Sequence, residues 1–139
     1  MTFPILILGA TRETDRVRAA MHAAKLAGAI VAMDWTEGRT SESTDSVHSD
    51  EDAERIAQRI EYTMHRVRLI WWLVPACTSQ SLVEWDRARR WALPIITSGP
   101  EANRVRLFYR PPLQTHFHED DLALAHIRER ILFESRSVG

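Results

Sequence analysis

Ser81 and Glu84 stand three residues apart, just after the polar stretch Pro75 to Gln80. Two kinds of chemistry fit that spacing. In a capping box, each side chain bonds the other residue's backbone N–H at the start of a helix, and no further role is needed. Alternatively, the positive end of the helix holds Glu84 ionised as a nucleophile or base. The hydroxyls of Thr78, Ser79 and Ser81, together with helix N–H groups, suit sugar hydroxyls or a phosphate. Spacing alone leaves both readings open.

The elements around this turn decide where Glu84 would point. Leu69 to Val74 is an unbroken apolar run and reads as a strand; Ser81 to Ala92 reads as a helix, and Pro94 to Thr97 as a second strand. An apolar run without alternation suits a strand covered on both faces, which is the parallel-sheet situation. The turn therefore lies at the carboxyl end of a central strand, where open α/β sheets bind ligands.

The run Gln80-Ser81-Leu82-Val83-Glu84-Trp85-Asp86-Arg87-Ala88, ending in Leu93-Pro94-Ile95, resembles a segment of the nucleoside 2-deoxyribosyltransferases and their nucleotide N-glycosidase relatives. There a Gly-Thr/Ser-x-x-Glu turn leads into a helix with Gly-x-Ala one turn on, then a Pro-led strand. Ser81, Glu84, Ala88 and Pro94 match, while Gln80 and Asp86 stand where the family has glycine. The resemblance implies that Glu84 attacks the anomeric carbon of a nucleoside or nucleotide and that no cofactor or metal is required. It also implies a homo-oligomer. Water as acceptor would make the protein a hydrolase, and a second base would make it a transferase. The family's Leu-Ala-Gly-Pro turn beside the sugar has its loose counterpart in Leu8-Gly9-Ala10-Thr11. Arg68 falls where the family has an aspartate before the strand, and no acid matches the assisting aspartate of the preceding helix. These departures favour a different class of answer, a nucleotide-binding or protein-interaction module that kept the fold and lost the chemistry.

The first half of the chain repeats the strand, turn and helix pattern. Phe3 to Leu8 is a short apolar run that stops at Gly9, and Val17, Ala20, Met21 and Ala24 recur at helical spacing between Glu13 and Leu26. Gly28 is a stop signal, and Ala29 to Met33 is the next strand, ending at Asp34. There is no Gly-x-Gly-x-x-Gly, so a dinucleotide site is not indicated. Gly9 permits close approach to a ligand, Thr11 offers a hydroxyl, Arg12 a cation for a phosphate, and Asp34 a carboxylate at the same edge. A plain tight turn and a solvated arginine explain the same residues without function. Thr36 to Asp50, which includes His48, is polar and too long for a bare connection, which suits a lid or a disordered loop.

Ala53, Ile56, Ala57, Ile60 and Met64 trace one stripe of a helix from Asp50 to Arg66, with Asp50, Glu51 and Asp52 at its positive end. Val105 to Tyr109 alternates like a fifth strand. His116 and His118, followed by Glu119 to Asp121, carry metal donors, but their spacing matches no strong zinc pattern, and no metal is expected. Leu122 to Phe133 completes the set as a helix facing inward by Leu124, Ile127 and Ile131, with Ser135 to Gly139 fraying. The expected fold is a single α/β domain, a doubly wound and mostly parallel sheet in the order 2-1-3-4-5 with helices on both faces. In that order the first and third strands are neighbours, and the stretches Gly9 to Arg12 and Thr78 to Glu84 would face one another across a crevice.

Composition narrows the partners. A formal net charge of −1 argues against nucleic-acid binding driven by bulk positive charge. The single cysteine, Cys77, cannot form an intramolecular disulfide and suits a reducing cytoplasm. No apolar stretch is long enough for a membrane helix, so no membrane partner is expected. Five tryptophans favour a packed core or a subunit interface.

Overall fold

The computed structural model describes residues 2–9, 13–36, 50–73, 94–99 and 114–138. Within them the chain runs β1 (Pro4–Leu8), α1 (Thr14–Leu26), β2 (Ile30–Val31), α2 (Asp50–Met64), β3 (Leu69–Leu73), β4 (Ile95–Ser98), β5 (Gln114–Phe117) and α3 (Asp120–Val138). The strands form one sheet in the order β2-β1-β3-β4-β5, and every neighbouring pair is parallel. This is the topology that the sequence pattern predicts. Right-handed crossovers account for the layering. The chain moves outward from β1 to β2 and then back past β1 to β3, so α1 and α2 fall on opposite faces, and α1 packs beside α3.

β3 is buried at every position, as its continuous apolar run requires. Its register places Ile7, Trp71 and Ile96 in one row and Leu8, Trp72 and Thr97 in the next. Successive rows point to opposite faces, so Trp71 and Trp72 fill the two halves of the core, 1% and 3% exposed. The predicted stripe of α1 is the one that packs: Val17, Ala20, Met21 and Ala24 are all buried. Each large apolar side chain buried in this way contributes about 1.5–3 kcal/mol before the entropy of ordering is subtracted.

Several boundaries differ from the sequence pattern, for local reasons. β2 is shorter than Ala29 to Met33. The Ala32 N–H still bonds the Ile5 carbonyl, but the next acceptor along β1, Ile7 O, takes the Trp35 indole N–H at 2.8 Å. A side chain thus substitutes for the next ladder bond. α1 ends in a Schellman turn, with Ala29 N bonded to Ala24 O, Gly28 N bonded to Lys25 O, and Gly28 at φ 104°. α2 stops at Met64 rather than Arg66, where the Thr63 hydroxyl bonds back to Arg59 O and Arg66 N closes a turn on Thr63 O. The fifth strand of the sheet is Gln114–Phe117, whereas the alternating stretch at 105–109 lies outside the described residues. α3 starts two residues earlier than predicted and remains helical to Val138, so the stretch from Ser135 does not fray. Arg68, at the foot of β3, ties that end of the helix down through Glu134 at 2.6 Å.

Candidate functional site at the carboxyl edge of the sheet

Because all five strands are parallel, their carboxyl ends lie along one edge, and the chain leaves that edge after Leu8, Leu73, Ser98 and Phe117. Gly9 follows β1, beside the end of the central strand β3. A Cβ there would lie 2.8 Å from Val17 Cγ2 and 3.5 Å from Leu73 Cβ. The absence of a side chain at Gly9 is thus already required by packing of the turn onto α1 and the end of β3. It also places the exits of β1 and β3 side by side.

Beside this point lies a polar network that joins four elements. Arg16, in the first turn of α1, grips Asp120, the first residue of α3, with two parallel bonds: Nε to Oδ2 at 2.7 Å and Nη2 to Oδ1 at 2.8 Å. Nη2 also reaches the carbonyl of Ser98 at 3.1 Å, and Nη1 reaches Glu13 at 2.9 Å. The Ser98 hydroxyl donates to Asp120 at 2.7 Å and accepts the Trp71 indole N–H at 2.8 Å. Register explains the reach, since Trp71 and Ser98 point to the face of the sheet that carries α1 and α3.

The electrostatics follow from this geometry. The Asp120 hydrogen bond raises the Arg16 pKa above its ordinary value, against the opposing effect of burial. Burial by itself would raise Asp120, but hydrogen bonds from Arg16 and Ser98, with the guanidinium charge, hold it below the usual carboxylate value. Both charges are therefore kept, paired and hydrogen-bonded, at the edge where the site was expected.

A second polar cluster occupies the opposite face of the same edge. Thr97, fully buried, places its Oγ1 2.8 Å from Nδ1 of His116 on β5. His118 lies one strand period further on, its ring centre 5.8 Å from that of His116. Burial, and then the neighbouring His118, push the His116 pKa below the ordinary histidine value.

Of the residues singled out from the sequence, Gly9 and Asp34 are described. Asp34 follows β2, next to β1, and its Oδ1 accepts the Thr36 N–H at 2.9 Å and the Thr36 hydroxyl. Arg18 of α1 bonds the Thr36 carbonyl at 2.6 Å, so the chain is fastened where it enters the long polar stretch. Thr11, Arg12, Thr78, Ser79, Ser81, Glu84, Cys77 and His48 lie outside the described residues, as do Trp85 and Trp91. Arg68, which replaces a family aspartate, belongs to the amino edge, so its pairing with Glu134 is separated from the carboxyl edge by the length of β3, about 16 Å.

Sequence reasoning did not single out Arg16, Ser98 or Thr97, and it noticed Asp120 only as one of three acids that suit a helix start or a metal. Arg16 and Asp120 are separated by 104 positions, and nothing in one sequence links an arginine inside a helix pattern to an acid that also suits a helix start. Among the described residues, no cluster of three or more His, Cys, Asp or Glu is arranged to hold a metal, and no helix is long and apolar enough to cross a membrane. No protein-family model matches the chain, and no curated protein matches it at a significant level.

Proposed function

We propose that this chain cleaves or transfers the N-glycosidic bond of a nucleoside or nucleotide, with Glu84 as nucleophile. The single observation that supports this most is the parallel pairing of β1 with β3, which puts Gly9 beside Leu73, since the stretch carrying Thr78, Ser79, Ser81 and Glu84 follows Leu73 in the sequence. With β1 and β3 adjacent and parallel, their last described residues, Gly9 and Leu73, lie at one place on the edge where doubly wound sheets bind ligands.

In the first step a Glu84 carboxylate oxygen attacks C1′ of the sugar. The C1′–O bond forms, the C1′–N bond breaks, and the departing base takes a proton from solvent or a nearby acid. In the second step water or another base attacks the same carbon and displaces the carboxylate. Arg16 is committed to Asp120 and Glu13. A 5′-phosphate would therefore be read by Arg12 and by backbone N–H groups, while the hydroxyls of Thr78, Ser79 and Ser81 would read the sugar.

The test is release of free base from a panel of nucleosides and 5′-nucleotides, comparing wild type with Glu84→Ala. Release by the wild type, reduced at least a thousandfold in the variant, supports the reaction. Thermal stabilisation by a nucleotide without base release from either protein would replace it with a binding module on the same fold.

A further inference from the structure

We propose that the outward face of α3 is the interface of a two-fold homodimer, in which α3 packs antiparallel against the same helix of a second copy of this chain. The interface is independent of the glycosidic chemistry. What points to it is the order of residue types along one side of the helix.

α3 is apolar on two sides. Ala123, Ile127 and Ile131 are buried in the core. A helix packed by one such stripe is expected to be polar on the opposite face, yet Leu122 and Phe133 are 51% and 71% exposed. They belong to a second stripe, Leu122, His126, Glu129, Phe133 and Arg136, whose steps alternate between four and three residues. That is the spacing of a seam between two helices. Glu119, whose carbonyl accepts the Ala123 N–H at 3.3 Å, extends the seam at its start. His126 is half-buried, with its ring against Phe117, and the other members are exposed. Beside the seam, His126, Leu132 and Phe133 line a hollow of about 600 Å³, into which a side chain of a facing helix can fit. Single exposed apolar residues need no explanation, but two on one seam beside a hollow form a surface that another helix can cover.

Charge decides which helix. A two-fold contact must be complementary to itself, because every residue pair occurs twice. With the axis between Ile127 and Arg128, Glu119 meets Arg136 of the second copy, Leu122 meets Phe133, and His126 meets Glu129. Each step is apolar on apolar or a carboxylate on a basic group. Other registers lose this match. Sliding one helix by seven residues sets His126 against Arg136, or Glu119 against Glu129, and a parallel pair sets every charge against its own copy. Glu119, Glu129 and Arg136 make no ion pair within the chain among the described residues, so their charges are available to a partner. From Glu119 to Arg136 the seam is about 26 Å long. One helix pair of that length lies at the small end of specific interfaces, so dissociation in the micromolar range is expected.

The experiment is sedimentation equilibrium of the full chain from about 1 µM to about 1 mM, with circular dichroism confirming that each variant is folded. The wild type should show a monomer–dimer equilibrium. Phe133→Asp, at an exposed position, should weaken the dimer at least tenfold. Glu119→Arg and Arg136→Glu should each weaken it about tenfold, because each change acts twice in the two-fold pair. Combined in one chain, the two exchange the charges and should restore the wild-type affinity. Leu26→Ser, at an exposed leucine on α1 outside the seam, is the control and should change nothing. A chain that stays monomeric at the highest concentration would leave the seam to a different protein and overturn the proposal. A dimer indifferent to Phe133→Asp, or single charge reversals that the double variant fails to restore, would overturn it as well.

Discussion

Two arginine–carboxylate pairs fasten α3 to the rest of the molecule, one near each end of the helix, and they differ in nearly everything but residue type. At the carboxyl edge, Arg16 and Asp120 are 22% and 32% exposed, meet through two parallel bonds, and share their remaining polar atoms with Ser98 and Glu13. At the amino edge, Arg68 is 51% exposed and touches Glu134 through one nitrogen. The first pair has surrendered much of its hydration and recovered it as fixed hydrogen bonds. The second is still solvated and holds two long side chains in one geometry against their entropy. The polar investment of this fold is concentrated at the edge where a ligand would sit.

The largest effect is expected from Asp120→Ala. It leaves Arg16 partly buried without its main partner and removes the acceptor of the Ser98 hydroxyl, and should destabilise the protein by about 2–3 kcal/mol in urea unfolding. The same pair gives a pH dependence with a definite sign. Because the folded-state pKa of Asp120 lies below its ordinary value of 3.8, its contribution is present above that value and is lost as pH falls through the folded pKa. The stability gap between wild type and Asp120→Ala should therefore be constant above about pH 5 and shrink at about pH 3. A gap of equal size at both ends would mean that the carboxylate is not held by Arg16.

The unequal pairs also mark what the sequence could disclose. The five-stranded order was legible because strands announce themselves by apolar runs, and the crossover rules leave few ways to arrange them. The burial of Trp71 and Trp72 followed from the unbroken apolar run of Leu69 to Val74, which suits a strand covered on both faces. The end of β2 was not legible, because it depends on the Trp35 indole taking a carbonyl that pattern reasoning assigns to backbone. The fifth strand was hidden for a related reason: His116 and His118 read as metal donors, and only the pairing of His116 and Phe117 with Thr97 and Ser98 makes the stretch a strand. Asp120 was visible as an acid at a helix start but its partner was not, since a bond across 104 residues leaves no local trace. For the candidate site, the sequence pointed to the carboxyl edge, and Gly9 and Asp34 lie there. The network beside them was beyond its reach.

A smaller effect should separate the network from the ion pair at its centre. Ser98→Ala keeps both charges of Arg16 and Asp120 but strands the Trp71 indole N–H inside the core, where Ser98 is fully buried. The expected loss is about 1–2 kcal/mol, the cost of one unpaired buried donor. Trp71→Phe removes that donor but leaves part of a fully buried site unfilled, so it carries a packing cost of its own that has to be separated from the hydrogen-bond loss. A double-mutant cycle of Ser98→Ala with Trp71→Phe measures this coupling directly.

The smallest effect belongs to the amino edge. Arg68→Ala removes one contact from an arginine that is half in water, and the expected loss is below about 1 kcal/mol, falling further as salt is raised. Glu134→Ala should match it, and the cycle between the two should give a coupling energy well under that of Arg16 with Asp120. Glycosidic activity, measured as base release, should be unaltered in Arg68→Ala, because the length of β3 separates this side chain from the carboxyl edge. If Arg68→Ala instead lost activity with its stability intact, the amino edge would take part in the reaction, and the division of labour between the two ends of α3 would be wrong.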